Sequence, residues 1–506
     1  MNIALLLQMA ADAAAERSAL VCDGRHWSYG ELLRAARGAA THLSGSGCAC
    51  VALLDESSAA APVALFGAAL AGMPYVPLNY RLADADLGAL LQRIAPAYIV
   101  GDTGRVARLA GGQDQHCTGR EDFLAAAQQA EPLAQEIAGE GIAAQIFTSG
   151  TTAAPKAALL RHANLLGYIL GTVEFGAADA DDAALVCVPP YHIAGISALL
   201  SSVYALRRMV ILPAFDPQDW LRLVQQERVS NAFVVPTMLG RIVDQLEAGA
   251  ATDLSCLRAL AYGGGRMPPQ LIERALRLLP DTEFTNAYGL TETSSTIALL
   301  GPREHRQALD AADPVVRARL ASVGQALPTV EIEIRDATGR ALPAGQRGEI
   351  YVRGEQVSGE YRERSALDEQ GWFPTRDAGW LDEDGYLFLA GRADDVIVRG
   401  GENISPAEIE DVLTSHPAIA DAAAVGVPSP EWGEAIAVAV VARPGSPCPG
   451  ADELRELVRS RLRSSRVPQQ VRVLDALPYN EMGKLLRCDI RALFQPRPAS
   501  ERNGLP

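Results

Sequence analysis

No two of the eight cysteines, at Cys22, Cys48, Cys50, Cys117, Cys187, Cys256, Cys448 and Cys488, form a C-x-x-C pair. That spacing suits neither a zinc site nor a disulfide framework, and it reads as reduced, mostly buried thiols in a cytoplasmic protein. Positive charge is also short, with 45 Lys+Arg against 61 Asp+Glu and a formal net charge of −16. The deficit argues against nucleic acid or an anionic membrane as the main partner, so any anionic ligand must meet local positive charge. The apolar start, Met1 to Ala15, lacks a basic n-region and carries Asp12, with Glu16 just beyond; it reads as an amphipathic first helix rather than a signal peptide. Ala59 to Leu78 holds no charge over twenty residues, long enough for a membrane span. Alanine dominates it, however, and Pro62, Gly67, Gly72, Pro74 and Pro77 interrupt it. The spacing predicts a helix from about Ser58 to Ala71 inside a packed core, and no transmembrane segment. Internal repeats and low-complexity tracts are missing as well.

What is present is ordinary globular material: 506 residues, 48% hydrophobic and 21% charged, enough for two or more domains. Ser28 is placed to cap a helix running to about Leu43. Beyond it, short apolar strands alternate with helices. Strands are expected at Cys50 to Leu54, Ala97 to Val100, Ala184 to Val188, Met209 to Leu212, Asn231 to Val235, Ala259 to Tyr262 and Glu283 to Ala287. Helices are expected near Asp84 to Ile94, Pro217 to Glu227, Met238 to Ala248 and Pro268 to Leu279. Such alternation means a parallel α/β sheet, whose ligands sit beyond the carboxyl ends of the strands. Strands at Val330 to Ile334 and Glu349 to Arg353 suggest a small β-rich subdomain, and the last hundred or so residues read as an α+β unit.

The most informative stretch is Gln145-Ile-Phe-Thr-Ser-Gly-Thr-Thr-Ala-Ala-Pro-Lys-Ala157. An apolar run from Gly141 to Phe147 empties into Thr148, Ser149, Thr151 and Thr152 around Gly150, closed by Pro155 and Lys156. Hydroxyls and turn amides can donate to phosphate oxygens, glycine lets the backbone approach, and the lysine adds a mobile charge. Polar turns are common, so composition alone leaves a plain surface loop equally open. The stretch is not a Walker A loop, because Pro155 precedes the lysine and Ala157 follows it.

The run Phe147 to Ala157 resembles the T-S-G-T-T-G-x-P-K-G signature of the adenylate-forming superfamily: acyl- and aryl-CoA synthetases, peptide adenylation domains and firefly-type luciferases. It departs at Ala153 and Ala157, where glycine is usual, and the added methyls predict a stiffer, slower loop. The superfamily's other signatures follow in order along nearly the whole chain. The resemblance implies a large N-terminal α/β domain (1–393) of parallel and mixed sheets with the β-rich subdomain, and a mobile C-terminal α+β domain (394–506) hinged at Asp394.

Tyr262-Gly-Gly-Gly-Arg266 leaves backbone bare for a flat ring; by resemblance Gly263, Gly264 and Gly265 wall the adenine, and Gly263 and Gly264 also border the acid. In Asn286-Ala-Tyr-Gly-Leu-Thr-Glu-Thr293, Tyr288 offers a stacking face and Thr291 a phosphate donor, while Glu292 supplies a hard oxygen for magnesium. The resemblance adds Asn286, Ala287 and Gly289 to the nucleotide site. It also makes Asp377 the ribose carboxylate, although Arg376 stands where glycine is usual, with Arg392 beside it and Lys484 as the lysine of the L-P-x-x-x-x-G-K signature.

His192, in Pro189-Pro-Tyr-His-Ile-Ala-Gly195, matches a residue beside the acyl carbonyl. No residue from 187 to 200 is acidic, which disfavours an α-amino acid. An acid pocket of His192, Phe233, Thr237 and the three glycines suits a bulky, mainly apolar acid, with Arg266 left open as a cation for a second carboxylate. The implied cofactors are ATP, Mg²⁺ and coenzyme A. The resemblance also makes Arg81 and Arg466 candidates for the CoA phosphates and Trp432 for a CoA contact, with Gly400 and Gly401 as the narrow wall of a pantetheine tunnel. The implied reaction is AMP-forming ligation of an acid to the CoA thiol. Three other readings share the motifs: a ligase loading an acyl carrier protein, a luciferase-like oxygenase, and a non-catalytic nucleotide-binding homologue. A homodimer stays open.

Overall fold

The computed structural model describes residues 1–109, 115–132, 141–148, 155–250, 252–392, 395–399, 402–479 and 485–494. Ser149, Gly150, Thr151, Thr152, Ala153, Asp394, Gly400, Gly401 and Lys484 therefore lie outside the described residues. Two compact units emerge: Met1–Gly263 with Pro269–Ile332 and Val352–Phe373, and Gly264–Pro268 with Glu333–Tyr351 and Pro374–Pro506.

Two sheets organise the first unit. One has nine strands, in the order Gln325–Ala326, Ser295–Leu300, Glu283–Leu290, Ala259–Gly263, Asn231–Val234, Ala183–Val186, Arg208–Ile211, Ser18–Cys22 and Arg25–Ser28. Its interior from Glu283–Leu290 to Ser18–Cys22 is parallel, and both edges are antiparallel. The other has seven: Glu360–Tyr361, Lys156–Arg161, Ile142–Thr148, Tyr75–Pro77, Cys50–Leu54, Ala97–Gly101 and Gln115–Gly119. Short connections let Ser18–Cys22 pair antiparallel with Arg25–Ser28 and Glu283–Leu290 with Ser295–Leu300, whereas a parallel return needs a longer crossover, usually a helix. The alternation in the sequence marked the parallel interiors well; the antiparallel strands Lys156–Arg161 and Glu360–Tyr361 are additions from the structure.

Local chemistry accounts for the main helices. Ser28 caps Tyr29–Ser44 through a reciprocal box in which Glu31 N–H donates to Ser28 Oγ (3.2 Å) and Ser28 N–H donates to Glu31 Oε2 (2.9 Å). The uncharged stretch forms helix Ala60–Leu70, eleven residues long with every residue buried. A helix that is apolar all round must be enclosed by protein or lipid, and here Tyr29–Ser44 packs against it in one core. Among the described residues no helix is long and apolar enough to cross a membrane.

The second unit contains the antiparallel pair Phe373–Leu381 and Leu387–Arg392, with Asp377 opposite Arg392. It also holds a five-stranded sheet of Glu402–Ile404, Ile397–Arg399, Gly433–Ala442 and Ile419–Ser429, with Gln470–Leu474 parallel beside Gly433–Ala442. Helices Pro406–Thr414 and Ala451–Arg461 bury Ile409, Leu413, Leu454 and Val458 against it. Glu410 on the first of these is buried but fully engaged: Oε1 accepts from Arg487 Nη1 (2.5 Å) and Ala424 N (2.8 Å), and Oε2 from Arg487 Nη2 (3.1 Å). Charge buried with this many donors is tolerated, whereas removing one partner would strand the other.

Candidate active site

In the first unit, strand Ile142–Thr148 pairs antiparallel with Lys156–Arg161, with Thr148 opposite Lys156. The two ends of the cradle are thus fixed side by side on a hairpin. Ala157 is fully buried in the returning strand opposite Phe147. Strand backbone needs no positive φ there, and Ala157 has none, so the stiffening expected from its methyl does not apply to this position. Arg93 closes the outer side, donating from Nη1 to Pro155 O (2.7 Å).

Glu292 sits on the single 3₁₀ turn Thr291–Thr293 at the end of strand Glu283–Leu290. It is buried, with 8% of its surface exposed, and its backbone carbonyl accepts from Ser358 N (2.9 Å) and Gly359 N (3.2 Å). Tyr361 Oη donates to Glu292 Oε1 at 2.7 Å, and Lys156 Nζ lies 5.9 Å from the centre of the same ring. Among the described residues no group of three or more His, Cys, Asp or Glu could hold a metal. One carboxylate still fits magnesium that arrives with a nucleotide, because that ion keeps waters and takes phosphate oxygens for most of its shell.

The wall beside it is built from strand ends. A Cβ on Gly263 would stand 2.2 Å from Ala287 O, so the neighbouring backbone, opposite it in the sheet, demands glycine. Gly264 adopts φ +77°, so these two glycines answer different constraints. Phe233 Cζ would lie 3.5 Å from that Cβ, so Phe233 stands beside Gly263, while Thr237 is exposed at the start of helix Pro236–Glu247. Tyr288 is 8% exposed. Asn286, expected at the adenine, donates its amide Nδ2 to Ser322 O (3.0 Å) and so ties its strand to the chain beyond. Ala287 is half-buried, Gly289 exposed and Thr291 half-buried.

His192 ends the Pro189-Pro-Tyr turn and precedes helix Ile193–Tyr204. Its ring packs on Tyr191, centroids 4.4 Å apart, and Tyr191 meets Tyr80 edge-on at 5.6 Å. Nε2 is shielded from solvent and has no hydrogen-bond partner among the described residues. Burial, reinforced by the Arg81 charge, lowers its pKa to about 4, so the ring is neutral at pH 7 and able to donate or accept. Arg81 itself is exposed and lies over Tyr80, 5.4 Å from the ring centre.

In the second unit Arg392 Nη1 donates to Asp377 Oδ1 (3.1 Å) and Thr375 O (3.4 Å), and Asp377 N–H donates to Thr375 Oγ1 (3.1 Å). Arg376, where the resembling family has glycine, adopts φ +62°; the backbone still takes the left-handed turn that glycine would supply freely. Arg266 does not present a free cation. It pairs with Asp411 and lies 3.8 Å from Glu410, while Nη1 donates to Ala407 O (3.3 Å). Arg466 is paired with Glu402 and lies 3.6 Å from Glu408. Trp432 is 43% exposed under Arg399, 5.2 Å from its ring centre. Gly265 is half-buried.

Two groups escaped the sequence reading. Tyr361 lies in the charged run Glu360-Tyr-Arg-Glu-Arg364, which looks like a solvent turn; only its pairing opposite Ala158 reveals it. His305 accepts at Nε2 from Tyr262 Oη (2.8 Å) and donates from Nδ1 to Gly301 O (2.7 Å), fully buried next to the glycine wall. Nothing in the sequence around either residue signals these contacts.

The chain matches the AMP-binding enzyme family over residues 7–362 and the AMP-binding enzyme C-terminal domain over residues 408–484. It is 31% identical over 494 residues to a fatty acid–[acyl-carrier-protein] ligase, ScoC, of Streptomyces coeruleorubidus, covering 94% of this chain and 93% of that one. It is 34% identical over 486 residues to a feruloyl-CoA synthase of an Amycolatopsis species, covering 93% and 94%. The solved structure of o-succinylbenzoate CoA synthetase from Bacillus subtilis with its acyl-adenylate intermediate superposes with a TM-score of 0.84 at 28% identity, over 97% of this chain and 98% of that one. The chain that carries the Thr148–Lys156 pairing, the buried Glu292 and the glycine wall therefore belongs to the AMP-binding enzyme family, within the adenylate-forming superfamily.

Proposed function

We propose that the protein is an AMP-forming acid–CoA ligase for a hydrophobic carboxylic acid. The observation that carries the reading is the hairpin that fixes Thr148 opposite Lys156 while Tyr361 joins that hairpin to the carboxylate of Glu292. In the first half-reaction a carboxylate oxygen attacks the α-phosphorus of ATP and the bond to pyrophosphate breaks, giving acyl-AMP. In the second a thiolate attacks the acyl carbon and AMP leaves. Thr148 and Lys156 orient the departing pyrophosphate, and Lys484 meets charge growing at the α-phosphate. Mg²⁺, held by Glu292, would neutralise phosphate charge when bound. His192, neutral and with an unsatisfied Nε2, suits a donor to the acyl carbonyl. Asp377, oriented by Arg392, takes the ribose hydroxyls. Rotation of residues 394–506 about Asp394 would exchange Lys484 for the Arg399–Glu402 loop between the half-reactions, with Arg81, Trp432 and Arg466 toward the CoA.

The acid class is read from the wall: Phe233 is apolar, the glycines add no polar side chain, and the pairing of Arg266 with Asp411 and Glu410 removes the cation that a second carboxylate would need. Each unfilled methylene forfeits about 0.8 kcal/mol of burial, which makes acetate a poor substrate. A carrier-protein thiol is the second reading, favoured by the relative that loads an acyl-carrier-protein. Incubation with ATP, Mg²⁺, CoA or carrier protein and a panel of acetate, octanoate, a benzoate and a polycyclic acid, with AMP and thioester read by mass spectrometry, tests both. AMP formation with none of the acids, or preference for acetate or an α-amino acid, overturns the reading.

A further inference from the structure

The segment from Gln356 to Arg362 behaves as a strap across the first unit. At one end Gln356, fully buried, donates from Nε2 to Thr293 O (3.0 Å), the last residue of the Glu292 turn, and to Thr296 O (2.7 Å) just beyond it. Ser358 and Gly359 then donate their amides to Glu292 O, and Ser358 Oγ bonds to Leu159 O on the phosphate-loop hairpin. Glu360 holds Arg161 of that hairpin through two bonds of 2.8 and 2.9 Å. Arg362 N–H donates to Ala157 O (3.0 Å), and its Nη1 donates to Arg93 O (2.6 Å), the residue that secures Pro155. The strap therefore locks the Glu292 turn and the two ends of the cradle into one block.

One side chain on that strap reaches both functional groups. Tyr361 donates to Glu292 Oε1 at 2.7 Å and presents its ring to Lys156 Nζ at 5.9 Å. A hydrogen bond from a phenol to one carboxylate oxygen fixes the rotation of the carboxylate and aims the other oxygen, which accepts from none of the described residues. A cation near a ring face is held by the quadrupole. Partners behind a metal ligand of this kind set its orientation and basicity.

We propose that Tyr361 is a positioning residue that couples the two ends of the nucleotide site, aiming Glu292 at the metal and Lys156 at the phosphates. This rests on the ligase reading above, specifically on Glu292 as the metal-holding residue. Tyr361→Phe removes the hydroxyl and keeps the ring, so the loss should appear only where the metal is involved. By calorimetry, the variant should bind Mg·ATP about 10-fold more weakly than wild type and bind ATP in the presence of a chelator as wild type does. Tyr361→Leu, which also removes the ring, should weaken both. In the pyrophosphate-exchange assay Tyr361→Phe should need more Mg²⁺ for half-maximal rate, with KM for the acid unchanged. Glu292→Gln separates the two levels of the argument. If it leaves the metal-dependent part of ATP binding intact, the metal assignment fails and the proposal with it. If it abolishes that part while Tyr361→Phe does not alter it, or weakens ATP equally with and without metal, the role of Tyr361 alone is refuted.

Discussion

His305 should make the protein acid-labile in a way that one substitution removes. Burial lowers its pKa from 6.5 to about 4, and its geometry explains why protonation is resisted: Nδ1 already donates to Gly301 O, and Nε2 must stay unprotonated to accept from Tyr262. In the unfolded chain the ring titrates normally. A folded pKa below the unfolded one means that stability is fully present above pH 6.5 and is lost as pH falls through 6.5 toward 4. The linkage integral gives a loss of about 2 kcal/mol between pH 7.5 and 5, and about 3 kcal/mol by pH 4. His162, whose Nδ1 accepts from Ile3 N (3.4 Å), is lowered to about 4 by the same cause, so the wild-type pH dependence alone does not isolate His305. Urea unfolding of wild type and His305→Gln at a series of pH values does: glutamine keeps an acceptor for Tyr262 and does not titrate. The variant should be the less stable at pH 7.5 and lose about 2 kcal/mol less on going to pH 5. Parallel pH profiles for the two proteins would refute the buried, neutral assignment.

The glycine wall gives a second test, because Gly263→Ala drives a Cβ against Ala287 O, a backbone atom that yields only if the strands part; a loss of about 1–3 kcal/mol in thermal or urea unfolding is expected, with weakened ATP binding. Arg376→Gly relieves a left-handed conformation worth about 1–2 kcal/mol, against a glycine entropy cost of about 0.5–1 kcal/mol and the loss of a part-buried pair with Glu349 whose 3.7 Å separation is too long for a hydrogen bond. The variant should be at least as stable as wild type by thermal shift, and a clear loss would contradict the turn. Lys484→Ala should abolish pyrophosphate exchange yet leave thioester formation from presynthesised acyl-AMP largely intact; equal loss in both half-reactions would remove Lys484 from the α-phosphate.

Periodicity and punctuation determined the interior of this protein. The parallel strands and their helices were legible because an α/β core imposes apolar runs of fixed length between turn residues, and Ser28 marks a helix start by side-chain chemistry that acts over three residues. The family membership was legible for a related reason: each signature gathers particular residue types close together in the chain. Tertiary structure alone decided what lies far apart in sequence. Arg266 looked free until helix Pro406–Thr414 brought Asp411 to it; Ala157 looked like a loop residue until it paired with Phe147. Tyr361 and His305 carry no local signal, since a phenol and an imidazole in polar segments acquire a role only when folding places a buried carboxylate or a tyrosine against them. Close pairing between distant residues is set by how sheets stack and edges close, and no window of sequence contains it.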